Sequence, residues 1–122
     1  LAIVSFWTLG FAPASYPDLL NSQTASYYAS GEVTANGESF DPNGLTAAHR
    51  KLPFGTIVNV RNLSNNKEIM VRINDRGPYI DGRALDLSFG AAKELDMLDS
   101  GLAEVVISVV QVAPPKTKSW RR

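Results

Sequence analysis

The 122-residue chain contains no cysteine, which removes disulfides, thiolate nucleophiles and thiolate metal sites together. It has a single histidine, His49, so a histidine-rich metal centre is excluded as well, and any remaining metal chemistry would have to use carboxylate and carbonyl oxygen. We expect no metal and no cofactor. It also lacks an excess of charge: 12 basic side chains balance 12 acidic ones. That balance gives no reason to expect nucleic acid or a charged membrane surface as the main partner, and a neutral or mixed-charge ligand fits better. The length suffices for one hydrophobic core but not two, and a monomer is expected.

The long apolar stretch is confined to the first residues. Leu1 to Ala14 is almost wholly apolar and ends in Ala12-Pro13-Ala14, like the hydrophobic region and small-residue cleavage site of a secretory signal without its basic start. It is too short to span a bilayer as a helix. An ordinary core strand or helix is the alternative, but Phe6, Trp7 and Phe11 leave no polar face, and export is the expectation. Residues 1–24 thus read as a signal-like segment and linker, 25–112 as the folded domain, and 113–122, with Pro114-Pro115 and then basic residues, as a disordered tail.

Within the domain the signals are mostly those of strands. Ala25 to Tyr28 reads as a first strand, and the region from Gly31 to Gly44, rich in glycine and asparagine, reads as a long shaped loop. Leu45 to His49 is a short apolar piece. Thr56 to Arg61 alternates and is rich in β-branched residues, and the polar stretch Asn62 to Lys67 turns it into Ile69 to Ile73 as a hairpin. Ala84 to Ser88 is a further short strand. Phe89 to Leu98 has helical spacing, with Ala92, Leu95 and Leu98 on one face and Ser88 as N-cap, though Gly90 weakens its first turn. Val105 to Val112 is a near-continuous apolar run that suits a buried strand. Short strands with one small helix fit a closed barrel better than a sandwich, because closure removes exposed edges.

The most informative stretch is Asn74-Asp75-Arg76-Gly77-Pro78-Tyr79, followed by Arg83-Ala84-Leu85-Asp86-Leu87-Ser88. Asp75 stands where a strand stops and a Gly-Pro turn begins. Arg72, Arg76 and Arg83 could hold Asp75 and Asp86 ionised, could bind an oxygen-rich ligand, or could form a purely structural ion-pair network.

Six blocks carry a resemblance. Ala25-Ser26-Tyr27-Tyr28, Thr34 to Asp41, Leu45-Thr46-Ala47-Ala48-His49, Leu52-Pro53-Phe54-Gly55-Thr56, Val71 to Tyr79 and Gly82 to Ser88 follow, in order and spacing, those of the rare lipoprotein A family of bacteria. The resemblance covers the chain from about Ala25 to Val110. It implies a mainly β fold, a six-stranded double-psi β-barrel with one or two short helices, shared with expansins. It implies a peptidoglycan lytic transglycosylase working outside the cytoplasmic membrane, periplasmic or secreted, with glycan strands as its partner and no stable membrane anchor beyond an uncleaved signal. By matching blocks, the family's functional residues fall on Glu38, His49 and Asp75. Two departures stand out: the segment from Ala29 to Val33 is shorter than the family pattern, and these residues include no lipobox cysteine. Nor do they include the peptidoglycan-binding repeat domain of some relatives.

A lytic transglycosylase must protonate the glycosidic oxygen and take a proton from the sugar's own 6-hydroxyl, which closes a 1,6-anhydro ring. Asp75 is the candidate for both tasks. For that, Arg72 and Arg76 must point elsewhere, and a neighbouring carboxylate, Asp86 or Glu38, would raise its pKa. Glu38 reads alone as a solvated glutamate in a flexible loop, and by its block as a second carboxylate. His49 could cap a turn or hydrogen-bond a carboxylate or sugar. Asp86, facing opposite to Leu85 and Leu87, is an Arg83-paired structural group or a substrate contact. Tyr28 and Tyr79 are candidates to stack on sugar rings, with Arg76 and Arg83 as further substrate contacts. The alternatives to an enzyme are a non-catalytic wall-binding or wall-loosening module and a scaffold for a wall-assembly protein.

Overall fold

The computed structural model describes residues 21–112, and the expected signal-like segment before residue 21 and the tail from 113 lie outside them. Among these residues six strands form the fold: β1 (Gln23–Tyr28), β2 (Thr46–Ala48), β3 (Ile57–Asn62), β4 (Glu68–Asp75), β5 (Leu85–Ser88) and β6 (Ala103–Gln111), with a helix, α1 (Phe89–Glu94), between β5 and β6. They close into a barrel in the order β1-β5-β2-β4-β3-β6. The β1–β5 and β2–β4 pairs are parallel, and the other four are antiparallel. The first strand starts at Gln23, two residues before the expected domain boundary.

Alternation decides what goes inside. Ala25, Ala47, Val58, Val60, Val71, Ile73, Leu85, Leu87, Val105 and Ile107 fill the barrel, and Ala91, Ala92, Leu95 and Met97 close one side. At about 25 cal/mol per Å² of apolar surface, this cluster is the main force holding the barrel shut.

Two expectations are corrected. The last strand is not buried on both faces: Val105 and Ile107 point in, while Ser108 and Val110 are exposed, with Val110 at 53%. A strand paired antiparallel on both sides in a barrel needs only one apolar face. The helix stops at Glu94, not Leu98, because Leu95 caps it and Asp96 takes the left-handed conformation, φ 57°. The expected inner face survives, since Ala92 and Leu95 are fully buried. Ser88 is the N-cap, its Oγ accepting from the Ala91 N–H at 3.2 Å. Gly90 serves packing: a Cβ there would lie 2.7 Å from the Asn43 carbonyl oxygen.

Candidate active site

The site forms where β1, β5, β2 and β4 run side by side. Ser26 on β1 is the register partner of Asp86 on β5, Asp86 is opposite Ala48 on β2, and Ala48 is opposite Asp75 on β4. The neighbouring rung, Ala25, Leu85, Leu87, Ala47 and Ile73, belongs to the core, so this row faces the other way.

Asp75 joins the row through an irregularity. Between Ala47 and Ala48 the register on β4 advances from Ile73 to Asp75, so Asn74 is an extra residue, a β-bulge. Strict alternation would send Asp75 to the same side as buried Ile73. The bulge turns it out instead. There its Oδ1 accepts from the Ala35 N–H at 2.8 Å and the Arg76 N–H at 2.9 Å, and its Oδ2 accepts from the Tyr28 hydroxyl at 3.1 Å. Three donors thus converge on one carboxyl group.

Neither nearby arginine pairs with it, as its use in proton transfer requires. Arg76 Nη1 donates to the carbonyls of Leu52 at 2.9 Å and His49 at 3.2 Å, and its guanidinium lies 3.9 Å over the Phe54 ring. That places Arg76 on protein groups, not on the open face expected of a substrate contact. Arg72 holds Glu38.

The loop that carries Glu38 is tied down, not flexible. Thr34 and Glu38 share a backbone bond of 2.9 Å, Gly37 closes the turn with φ 95°, and Val33 bridges Ser39. Glu38 accepts from Arg72 at 2.6 and 3.0 Å, Asn74 at 3.0 Å and Asn36 at 3.0 Å. Those donors, Arg72 foremost, hold its carboxyl down to about 2, and Glu38 in turn pushes the Arg72 guanidinium up. Asn36 N–H also donates to the Asn74 carbonyl at 3.2 Å. Glu38 therefore fastens the turn to the bulge, and that turn presents the Ala35 N–H to Asp75.

His49 is buried. Its Nδ1 accepts from the Lys51 and Leu52 N–H groups at 3.0 and 3.1 Å, which puts the imidazole proton on Nε2. Its backbone N–H donates to the Asp75 carbonyl at 3.2 Å. The ring caps a turn, and the main chain braces the end of β4.

Adjacent tyrosines take opposite sides, as alternation demands. Tyr27 packs on the core, edge-on to Phe89, and its hydroxyl donates to the Leu98 carbonyl at 3.1 Å. Tyr28 stacks on Phe40 at 4.7 Å and 14°. Burial, and then the charge and hydrogen bond of Asp75, push its hydroxyl pKa up, with Asp86 adding to the effect. Tyr79 stands 74% exposed beyond the Gly77 turn, beside exposed Ile80.

Asp86 is half-buried, and its Oδ1 accepts from the Ser26 hydroxyl at 2.9 Å. Burial pushes its pKa up, the Ser26 hydrogen bond and Arg83 charge oppose that, and the Asp75 charge reinforces it. The expected Arg83 partner is corrected: among the described residues the salt bridge joins Arg72 to Glu38. Arg83 instead lines a shallow polar hollow of about 360 Å³ with Thr24, Arg50 and Glu104. Arg50 Nη1 donates to the Pro78 and Arg83 carbonyls, both at 2.8 Å, and so pins the turn that carries Tyr79.

Comparison with known proteins gives the family. The family model described as lytic transglycolase matches residues 21–107. The chain belongs to the lytic transglycolase family. A probable endolytic peptidoglycan transglycosylase RlpA of Treponema pallidum is 58% identical over 86 residues, covering 68% of this chain and 27% of the relative. The endolytic peptidoglycan transglycosylase RlpA of Campylobacter jejuni is 49% identical over 89 residues, covering 70% and 32%. The chain thus spans about a third or less of these relatives' length. Among solved structures, the Streptomyces papain inhibitor superposes with a TM-score of 0.63 at 24% identity, covering 75% of this chain and 94% of that one. The apo expansin of Clavibacter michiganensis superposes with 0.60 at 16%, covering 79% and 52%. These two establish the barrel alone.

Several residues that shape this candidate site gave no sign of their partners in the sequence. Ser26, Phe40, Arg50 and the Ala35 N–H reach their partners across 12 to 60 positions, and only the fold brings them there.

Proposed function

We propose that this domain is a peptidoglycan lytic transglycosylase that cleaves the glycosidic bond between N-acetylmuramic acid and N-acetylglucosamine and leaves 1,6-anhydro ends. The observation that carries the reading is the placement of Asp75 by a bulge at a strand end, with three donors aimed at its oxygens and both neighbouring arginines turned away. Family membership and the names of the curated relatives support the substrate class.

Asp75 is the group that handles the proton of the 6-hydroxyl. That hydroxyl belongs to the ring being cut, so it is already tethered, and effective molarity does much of the work that a bound water would otherwise do. Glu38 and His49 are positioning residues: one fixes the turn bearing the Ala35 N–H, the other braces β4 from behind. Tyr79, exposed at the rim, is the platform for a neighbouring sugar. A substrate of this kind places the protein outside the cytoplasmic membrane.

The test is to incubate the chain with purified sacculi, intact and stripped of stem peptides, and to examine the products by mass spectrometry. Anhydro ends that vanish in Asp75→Asn support the reading. Reducing ends would mean hydrolysis. No product, with the protein still pelleting with sacculi, would make this a binding module.

A further inference from the structure

Asp75 is not the only carboxyl group on the open row. Ala48 has Asp75 as its register partner on one side and Asp86 on the other, so the two acids stand two interstrand steps apart, about 10 Å between backbones. Paired residues share a face, and in the row Ala48 stands between them. Tyr28 registers both charges.

Their surroundings differ in kind. Asp75 receives three hydrogen bonds over both oxygens, two of them from backbone N–H groups that can only donate. It is built as an acceptor. Among the described residues Asp86 has one hydrogen-bond partner, the Ser26 hydroxyl, which can reverse and accept just as well. Half-buried with that single reversible partner, Asp86 can carry a proton without losing a fixed donor.

Resting on the lytic reading above, we propose that Asp86 is the general acid and Asp75 the base, so that the two halves of the proton transfer fall on different residues. The proton of Asp86 passes to the glycosidic oxygen as the bond from that oxygen to the anomeric carbon breaks, the electron pair leaving with the oxygen. The 6-hydroxyl oxygen of the same ring bonds to the anomeric carbon, and its proton passes to Asp75. Transfer of that proton back to Asp86 through solvent restores the starting state. The departing and incoming oxygens lie on the same face of the ring, so both proton-handling groups must stand on one side of it, as Asp75 and Asp86 do.

Among the described residues, the groups facing Asp86 are Ser26 and Tyr28 from β1, Asp75 from β4 and Arg83 from the preceding turn, and β2 sets Ala48 opposite it. Burial and Asp75 outweigh Ser26 and Arg83 and leave its pKa raised. An acid must be protonated to act, so activity on glycan falls as pH rises through that value.

The experiment compares a glycan oligomer with an N-acetylmuramyl dinitrophenyl glycoside, whose leaving group departs without a proton. Asp86→Asn, which keeps an acceptor for Ser26, loses about 10²–10⁴-fold on the glycan and less than about 10-fold on the dinitrophenyl substrate. Asp75→Asn loses heavily on both. The wild-type chain shows the alkaline decline on the glycan and not on the aryl substrate, a readout that needs no variant to fold. Equal losses of Asp86→Asn on the two substrates, no loss on glycan, or the same alkaline decline on both would overturn the assignment while leaving the lytic reading intact. A wild-type chain that forms no anhydro product from either substrate would overturn both.

Discussion

Arg72 grips Glu38 by both carboxylate oxygens, Nη1 at 2.6 Å and Nη2 at 3.0 Å, although 34 residues separate them in sequence. The pair lies partly in solvent, with a third of the Glu38 side chain exposed, so its direct contribution to stability is about 1 kcal/mol or less. Its larger effect is geometric, because it holds the turn that aims the Ala35 N–H at Asp75.

Glu38→Gln should therefore leave the barrel folded and lower turnover on the order of 10²-fold through misplacement of Asp75, read as kcat against thermal midpoint. The stability term has a definite pH sign. The native carboxyl is held at about 2 against an ordinary 4.5, so its stabilisation is present above 4.5 and lost as pH falls towards 2. Acid titration of unfolding should show a shallower decline over that window in Glu38→Gln. An unchanged profile would remove the pair from the account.

Tyr28→Phe deletes one hydroxyl from the site and keeps the ring on Phe40. Loss of this hydrogen bond should cost about 1 kcal/mol of stability, with a fall in kcat and little change in KM. The parent chain has four tyrosines, and Tyr28, whose hydroxyl pKa is raised by burial and Asp75, should lag the others in an ultraviolet titration above pH 10. The native state favours the neutral phenol, so its contribution is whole below the free value and fades as pH climbs above it. In Tyr28→Phe the lagging step should be missing.

Helix propensity alone says that Gly90→Ala should stabilise the chain by about 1 kcal/mol. The packing says the reverse, because the new Cβ would meet the Asn43 backbone at 2.7 to 3.0 Å. A destabilisation of about 1–3 kcal/mol is expected, measured as a lower denaturant midpoint with an unchanged slope.

Asn62 is buried to 1% exposure; its Nδ2 donates to the Leu95 carbonyl at 3.0 Å, and its Oδ1 accepts from the Ser64 N–H and hydroxyl. Asn62→Ala strands these groups and should cost about 1–3 kcal/mol. Because Asn62 shares no hydrogen-bond partner with Asp75, kcat below the melting transition should hold steady.

The sequence made the barrel legible wherever a strand declares itself locally. The alternation of Ile57 to Arg61 and the polar turn at Asn62 to Lys67 mark the β3–β4 hairpin without any partner, and Ser88 announces the helix start. Val105 to Val112 misled because an apolar run says how much surface a strand could bury, not how much its neighbours leave to be buried. The site was legible only in its blocks. Glu38 looked solvated because Arg72 reaches it from a strand formed 34 residues later, and Arg83 looked like the partner of Asp86 because it is three positions away, whereas parallel pairing delivers Ser26 from 60 positions away. Asn74 carries no glycine-like mark of a bulge, so the direction of Asp75 could not be read from alternation.

The extra residue at Asn74 works as a phase shift in the chain. Ile73 takes its core place before it, and Asn74 itself is buried, its amide donating to Glu38 and its carbonyl accepting from the Asn36 N–H. Without that residue the carboxylate would still face outward by plain alternation, but the end of β4 would lose its tie to the turn that carries the Ala35 N–H. Drift in outward-facing side chains can thus tune this site, but a change in the count of residues between Ile73 and Gly77 unfastens the turn from the strand while Ile73 keeps its place in the core.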